Sequence, residues 1–288
     1  MMKIGVIVEM LRQPLRDGIR TAAEIGCQGI QTYGINEEFN LLDRTPAEAR
    51  DLAKYIRDCG LELVSVAGDM PGHGYTRAAE VADRVAKVKT IIDMALEMDC
   101  RIITNHIGVV PTDANDPEYA VLLDALGQVT GYAAAKGSAI AIETGPERST
   151  VLQRLLADVN SPALGINLDP ANLAMVQNED AVEAVNNLAG HIIHTHAKDG
   201  IHLQDCDAKM VYDAFAEGGF EALLEKTGKL FEEVPLGAGQ VRWDAYLAAL
   251  KASGYDGFLT IEREVGGDPK ADIAMAVDFL KAKLAVLG

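Results

Sequence analysis

The sequence predicts a single-domain α/β protein, a closed (β/α)8 TIM barrel formed by all 288 residues. Short apolar runs alternate eight times with longer segments of helical periodicity, and such alternation indicates a parallel sheet with crossover helices. Eight units in a chain of this length fit a closed barrel better than an open doubly wound sheet. The Gly-x-Gly at Gly237-Ala238-Gly239 lacks the third glycine of a dinucleotide-binding loop. We therefore expect no nucleotide cofactor.

Each element has its own local signal. The predicted strands are apolar runs bounded by glycine, proline or charged residues: 3–8, 28–33, 61–67, 101–106, 139–143, 163–169, 191–198 and 258–262. The predicted helices are 14–26, 46–59, 117–137, 151–159, 179–188 and 243–253, with two more whose apolar faces run through 81–96 and 273–284. Thr45-Pro46-Ala47-Glu48 is a capping box that opens the second helix, and Gly60 stops it.

One connection is much longer than the others. About 199–235 separates strand seven from its helix, whereas such loops normally have about two to six residues. Met210–Phe215 and Phe220–Lys226 are predicted to be short helices within it. Because loops this long are usually functional, we interpret the insert as a lid or wall over the barrel mouth.

Composition and charge exclude several classes of partner. A formal charge of −17 repels polyanions, so we expect no nucleic acid partner. No apolar run approaches the roughly 20 residues of a membrane span, so we expect no membrane partner. The four cysteines have no metal-binding or redox spacing and are predicted to be free thiols: Cys27, Cys59, Cys100 and Cys206. These features favour a cytoplasmic protein.

Four metal-ligand side chains fall at the ends of four predicted strands: Glu143, Asp169, His196 and Glu262. Catalytic groups of such barrels lie at the carboxyl ends of the strands, so these four are expected to form one site. A single strand-end carboxylate is more often a capping or salt-bridge partner, but four together favour a metal. Three carboxylates and an imidazole suit one divalent ion, for which Mn²⁺ is our first choice and Mg²⁺, Co²⁺ or Zn²⁺ the others.

Five motifs in order along the chain resemble those of the sugar phosphate isomerase/epimerase family, the xylose isomerase-like TIM barrels. They are Glu143-Thr144-Gly145-Pro146-Glu147, Asn167-Leu168-Asp169-Pro170-Ala171-Asn172, His196-Ala197-Lys198-Asp199, Pro235-Leu236-Gly237-Ala238-Gly239 and Gly257-Phe258-Leu259-Thr260-Ile261-Glu262-Arg263-Glu264. In ketose 3-epimerases of this group, Glu, Asp, His and Glu hold a metal, and both glutamates act as acid and base. The resemblance implies these roles for Glu143, Asp169, His196 and Glu262.

The expected function is therefore that of a divalent-metal-dependent sugar epimerase or isomerase, an enzyme of carbohydrate metabolism. A metal that chelates a carbonyl and a neighbouring hydroxyl acidifies the C–H group between them and stabilises the enediolate. Carboxylates on opposite faces can then remove and return the proton, as predicted for Glu143 and Glu262. The expected partner is a small ketose, keto-glycoside or related polyol, and the assembly a homodimer or homotetramer.

Five further side chains are predicted to contact the substrate: His73, His106, Asn172, Lys198 and Arg263. For Lys198 an ion pair with Asp199 or a barrel carboxylate is an equal alternative, and for Arg263 a salt bridge at the mouth. Asn172 departs from the many epimerases that carry histidine three residues after the metal-binding Asp. Since asparagine cannot exchange protons at neutral pH, this departure weakens the substrate assignment more than the metal assignment. His194 is expected to be a packed core histidine.

Other functions remain open at this level. The same enediolate can enter dehydratase or aldolase chemistry, which product analysis would separate from epimerisation. A DNA-repair enzyme of the endonuclease IV type would need more metal ligands and a basic face, and the net charge opposes that. A non-catalytic sugar-binding barrel would not require opposed carboxylates. Few basic residues are expected at the mouth, mainly Lys198, Arg263, Arg148 and Arg242, which favours an unphosphorylated sugar.

Overall fold

Eight parallel strands close into a barrel in the computed structural model, which describes residues 1–288. They are β1 (Lys3–Ile7), β2 (Gly29–Tyr33), β3 (Glu62–Ala67), β4 (Ile102–Asn105), β5 (Ala139–Glu143), β6 (Leu164–Leu168), β7 (Ile192–Ala197) and β10 (Phe258–Ile261). Neighbours around the barrel follow the chain order, and β10 pairs with both β7 and β1. The predicted fold class is confirmed, and each strand lies within one residue of its predicted bounds.

Eleven α-helices accompany the strands: α1 (Leu15–Glu24), α2 (Pro46–Asp58), α3 (Ala78–Glu97), α4 (Pro117–Lys136), α5 (Ser149–Val159), α6 (Pro170–Gln177), α7 (Ala181–Leu188), α8 (Ala208–Ala216), α9 (Phe220–Thr227), α10 (Trp243–Ala252) and α11 (Pro269–Leu287). Two 3₁₀ turns, Val8–Leu11 and Leu41–Asp43, follow β1 and precede α2. The capping box at Thr45 and Glu48 is present with both of its hydrogen bonds. None of these helices is both long and apolar enough to cross a membrane.

The sequence predicted no helix between strand six and the helix of 179–188, but α6 lies there. Pro170 occupies the first helical position, where its missing N–H costs nothing. Six of the eight residues of α6 are buried, so no polar face gives the segment a helical periodicity. In the sequence, a buried helix that begins with proline therefore has the pattern of a strand end followed by a loop.

Below the mouth, the barrel interior contains a polar layer. The apolar side chains of Ile103, Ile140 and Ile166 are fully buried on the opposite faces of their strands, between the barrel and the helices. His194 is also buried, and its Nε2 lies 3.0 Å from Oε1 of Gln31 on β2. Burial holds the pKa of His194 well below its usual range, so the imidazole is neutral. This side chain is the packed core histidine that the sequence predicted.

The long insert after β7 forms a small domain-like cap with its own hairpin. β8 (Asp199–His202) and β9 (Phe231–Val234) pair antiparallel, and α8 and α9 lie between them in the chain. The two helices correspond to those predicted, but the hairpin was missed. Its first strand, β8, follows β7 after a single residue. In the sequence the two strands therefore form one continuous strand-like stretch, although they belong to different sheets.

Asp199 fixes the neck of this insert. Its buried carboxylate accepts hydrogen bonds from the N–H groups of Gly237 at 2.9 Å and Val241 at 3.1 Å, and from Nε1 of Trp243 at 2.9 Å. Gly237 has a φ of +85°, which favours glycine. The Gly237-Ala238-Gly239 loop thus holds a carboxylate of its own chain.

Candidate metal centre and active site

The four predicted ligand residues meet at the carboxyl end of the barrel. One ligand atom from each of Glu143, Asp169, His196 and Glu262 lies within 4.8 Å of the others. Glu143 is the last residue of β5, Asp169 and Glu262 directly follow β6 and β10, and His196 is the penultimate residue of β7. All four side chains are buried. Closure of the barrel therefore brings together groups that are far apart in the sequence.

His196 presents Nδ1 to the three carboxylates. Nδ1 lies 3.3 Å from Oε1 of Glu143, 3.4 Å from Oε2 of Glu262 and 3.7 Å from Oδ2 of Asp169. On the other side of the ring, Nε2 lies 3.2 Å from the amide oxygen of Gln31. Nδ2 of Asn167, which can only donate, lies 3.1 Å from the same Nε2. Binding of a metal through Nδ1 would place the proton on Nε2, with Gln31 as its acceptor.

Asp169 divides its two oxygens between structure and site. Oδ1 caps α6 by accepting from the N–H groups of Ala171 and Asn172, both at 2.8 Å. Oδ2 has no hydrogen-bond partner although it is buried, and the same is true of Nδ1 of His196. Buried polar atoms are normally paired, so these two orphaned atoms indicate a missing partner between them.

The charges of the site support a cation as that partner. Burial raises the pKa of Asp169, and it also disfavours a charged His196. The carboxylates of Glu143 and Glu262 nevertheless raise the pKa of His196 well above its usual range. The cluster therefore has an excess of negative charge that a divalent ion would neutralise, and the donor set of three carboxylates and one imidazole fits Mn²⁺ or Mg²⁺.

Each glutamate has its own supports. Glu143 accepts from Nδ2 of Asn172 at 3.2 Å and from Nδ2 of Asn167 at 3.3 Å, one on each oxygen. Glu262 accepts from Nζ of Lys198 at 3.0 Å. The two carboxylates approach from strands three positions apart in the eight-stranded barrel, so they reach the centre from different directions.

Lys198 is enclosed by carboxylates. Besides Glu262 it pairs with Glu264 and lies 3.8 Å from Oε2 of Glu233 in the insert. Although burial opposes its charge, these carboxylates, with Glu262 foremost, hold the pKa of Lys198 well above its usual range. Of the alternatives left open by the sequence, the structure shows the ion pair with barrel carboxylates, while Asp199 points to the neck of the insert instead.

Two of the predicted substrate contacts are histidines of the neighbouring loops. His106 is half exposed; its Nδ1 lies 3.2 Å from Oδ1 of Asp69 and its Nε2 3.7 Å from Oε2 of Glu143. Asp69 also accepts from the backbone N–H of His106 at 2.6 Å, so it orients the ring. His73 is mostly buried, with Nδ1 3.2 Å from Oδ1 of Asp213 on α8. The loop after β3 is thereby tied to the insert.

A cavity of about 820 Å³ lies over the ligand cluster. Of the five side chains predicted to contact substrate, four line it: His73, His106, Asn172 and Lys198. Arg263 does not line the cavity. Its guanidinium donates to Glu233 at 2.7 Å and to Asp272 at 3.1 Å, which ties the hairpin to α11.

Sequence reasoning missed three residues of the site. Asp69 comes two residues after β3 and carries the same strand-end signal as the metal ligands. Gln31 was detectable only as a polar residue inside an apolar strand. No sequence pattern marks Glu233, because it reaches Lys198 only when the insert folds back over the barrel.

Comparisons with known proteins agree with this arrangement. The profile of a family described as xylose isomerase-like TIM barrel matches residues 19–283. L-ribulose-5-phosphate 3-epimerase UlaE of Escherichia coli is 30% identical over 132 residues, which are 45% of this chain and 37% of that protein. The match thus spans little more than a third of the length of this curated relative.

Two solved structures extend the similarity over the whole barrel. A xylose isomerase domain protein from Planctomyces limnophilus superposes with a TM-score of 0.79 and 28% identity, covering 98% of this chain and 96% of that one. A D-tagatose 3-epimerase-like protein superposes with a TM-score of 0.76 and 20% identity, covering 99% and 98%. At that lower identity the second match supports the fold alone.

Proposed function

Because this chain belongs to the xylose isomerase-like TIM barrel family, we propose that it is a divalent-metal-dependent isomerase that epimerises or isomerises a small keto sugar, a ketose or keto-glycoside. One observation carries the proposal. Two buried carboxylates, Glu143 and Glu262, flank an imidazole nitrogen that has no hydrogen-bond partner, at the floor of a cavity large enough for a sugar. The epimerase named among its relatives supports the same reaction class.

The metal would be held by Glu143, Asp169, His196 and Glu262. When bound, it would supply electrophilic stabilisation of the enediolate oxygens formed on loss of the proton next to the carbonyl. We propose Mn²⁺ as the ion, since the oxygen-rich donor set suits a hard or borderline cation. Cys206 is the one cysteine within the insert and is not among these four residues.

The proton transfers are assigned to the two glutamates. One carboxylate takes the proton from the C–H group on its side of the sugar, and the other returns a proton from the opposite side. Asn172 and Asn167 hold Glu143 in place, and Lys198 holds Glu262. His106, oriented by Asp69, is placed to donate a hydrogen bond to a sugar hydroxyl above Glu143.

Burial of the site also separates the chemistry from water. The four ligand residues are at most 7% exposed, and the insert covers the mouth on the side of α6. Electrostatic interactions are stronger in such a site than in solution, which favours formation of a charged intermediate.

The four free cysteines are compatible with a reducing compartment, and we propose the cytoplasm as the location.

The test is proton exchange at carbon. Purified protein is freed of metal, reloaded with Mn²⁺ and incubated in D₂O with a panel of ketoses and keto-glycosides, and deuterium incorporation at each C–H is followed by NMR. We expect exchange at one carbon next to a carbonyl, loss of exchange on chelation, and a new stereoisomer among the products. Exchange that is absent across the panel, or products that have lost water or a carbon–carbon bond, would contradict the proposal.

A further inference from the structure

The cavity above the metal centre has two chemically different halves. Its floor is polar and is formed by Glu143, Glu262, Lys198 and His106. Its roof, contributed by the insert, is aromatic and carries the rings of Tyr212, Phe215, Phe220 and Phe231. The C–H face of a sugar ring can stack on one aromatic ring, but its hydroxyl-bearing edges match the floor, so a single free sugar covers only part of this roof.

The roof rings form one connected surface. Phe215 and Phe220 stack with ring centres 3.9 Å apart, and Phe220 stacks on Phe231 at 6.0 Å. Tyr212 meets Phe215 edge to face at 6.3 Å. Phe215 is 53% exposed, so this surface is available to a ligand and is not a closed core of the insert.

The volume of the cavity exceeds the need of a monosaccharide. Cavities of about 300–1,000 Å³ hold ligands of drug size, and this one measures about 820 Å³. Space remains above the floor once a sugar ring occupies it. An apolar, flat group in that space would complement these aromatic side chains.

The charges along the cavity oppose an anionic ligand. Three lysines line it, and each is already paired with a carboxylate that also lines it: Lys198 with Glu262 at 3.0 Å, Lys209 with Asp213 at 2.6 Å and Lys229 with Glu232 at 2.8 Å. No arginine lines the cavity. A phosphate group would therefore meet no unpaired cation and several carboxylates.

From these observations we propose that the insert forms an aglycone subsite, and that the substrate is an uncharged keto-glycoside whose aglycone is aromatic. The sugar lies on the metal floor and the aglycone lies against Phe215 and Phe220. The keto-sugar half of this inference rests on the proposed function, whereas the aromatic subsite rests on the insert alone. Remote binding of this kind positions the reacting end of a substrate.

The test measures binding separately from turnover. Protein loaded with Mn²⁺ is titrated calorimetrically with matched pairs of 4-nitrophenyl and methyl keto-glycosides derived from glucose, galactose and xylose. We expect at least one nitrophenyl glycoside to bind tenfold or more tightly than its methyl partner. The double variant Phe215→Ser/Phe220→Ser is expected to lose at least fivefold of that preference. Phe215→Tyr retains an aromatic ring and should keep it.

Met275→Ser is the matched control, since Met275 is an equally exposed apolar side chain on α11 outside the cavity. Equal affinity within every pair, absence of binding, or a preference that survives the double variant overturns the subsite. Aryl preference without any C–H exchange overturns the proposed isomerase but leaves the subsite. C–H exchange on free ketoses without a preference for aryl glycosides overturns the subsite but leaves the proposed isomerase.

Discussion

The amide oxygen of Gln31 lies 3.2 Å from Nε2 of His196, while Nδ1 of the same ring faces the carboxylates of Glu143 and Glu262. Gln31 is on β2, across the barrel from β7, so a side chain from a distant part of the sequence helps to orient the predicted ligand. Partners that orient ligating histidines contribute to metal affinity as well as to geometry. Gln31 thus belongs to the machinery of the site although it is not itself one of the predicted ligands.

Replacing Gln31 with leucine should weaken metal binding. The variant keeps the approximate volume but removes the acceptor for Nε2–H, and loss of such a partner typically costs about 10–100-fold in affinity. Titration of the metal-free protein with Mn²⁺ measures the change. Ser65→Ala is the control, because Ser65 donates to Gln31 at 2.8 Å but does not contact His196. Equal affinities of Gln31→Leu and wild type would exclude a role for this contact.

Occupation of the site by metal should stabilise the fold. A ligand at about 100 times its dissociation constant adds about 2.7 kcal/mol to the free energy of unfolding if it binds the folded state alone. Adding Mn²⁺ to the metal-free protein should raise its melting temperature in a concentration-dependent way. Asp169→Ala should abolish this shift, whereas Asp205→Ala should retain it, since Asp205 is fully exposed in the insert. A shift of similar size in Asp169→Ala would place the metal elsewhere.

Glu143→Gln and Glu262→Gln should each abolish C–H exchange while the fold is retained. Glutamine keeps a carbonyl oxygen that can face a cation but cannot accept the substrate proton, and loss of a general base typically costs about 10²–10⁴-fold. NMR exchange rates measure the loss, and thermal melts check the fold. Full turnover in either variant would contradict the assignment.

Glu147 should make stability depend on pH. Burial raises the pKa of its carboxyl from an ordinary 4.5 to about 8, although Oε1 accepts from the N–H of Val110 at 2.5 Å. Between these values the folded protein keeps a proton that the unfolded chain releases. The contribution of Glu147 is therefore fully present below about pH 4.5, and declines as pH rises until about 8, by about 1.4 kcal/mol per pH unit.

The neutral variant Glu147→Gln keeps an oxygen for Val110 and cannot ionise. Its free energy of unfolding, compared with that of wild type, should be similar at pH 4.5 and higher by a few kcal/mol at pH 8.5. Denaturant unfolding of both proteins at both pH values measures this difference in free energy of unfolding. All other titrating groups are common to the two proteins, so their contributions cancel. A difference that does not change with pH would show that Glu147 ionises normally in the folded protein.

Asp199→Ala should destabilise the protein by about 3–5 kcal/mol. The carboxylate accepts from four donors, including the indole of Trp243 and the backbone of Gly237, and each buried donor left without an acceptor costs about 1–3 kcal/mol. Asp199→Asn keeps one oxygen and should lose less. Chemical denaturation measures both, with the exposed Asp205→Ala as a control expected to change by under about 0.5 kcal/mol. A loss under 1 kcal/mol in Asp199→Ala would remove its anchoring role.

The strands and the metal cluster were predictable because their signals are local. An apolar run closed by Glu143 or by Glu262 reports both a strand and its carboxyl end, and barrel closure then dictates which ends meet. Core packing of His194 followed from its place one layer below His196. These inferences need only the alternation of faces along a strand and the topology of the fold.

The remaining contacts depend on three-dimensional neighbours. Gln31 acquires its role only when β2 faces β7 across the barrel, and Glu233 only when β9 returns along β8 to reach Lys198. Helix α6 was hidden because burial on all sides removes the helical period. In each case the deciding partner is distant in the sequence, and no local pattern specifies the distance between them.

The two ends of the insert lie side by side, since Asp199 pairs with Val234 in the hairpin. A segment that leaves and re-enters the barrel at nearly one point can change in length or composition without moving the strands that carry the metal ligands. The region beyond this neck is therefore an exchangeable cassette. Grafting a different segment between His202 and Phe231 should alter which molecules enter the mouth while the arrangement of Glu143, Asp169, His196 and Glu262 remains the same. Selection or design can thus vary the choice of substrate separately from the chemistry.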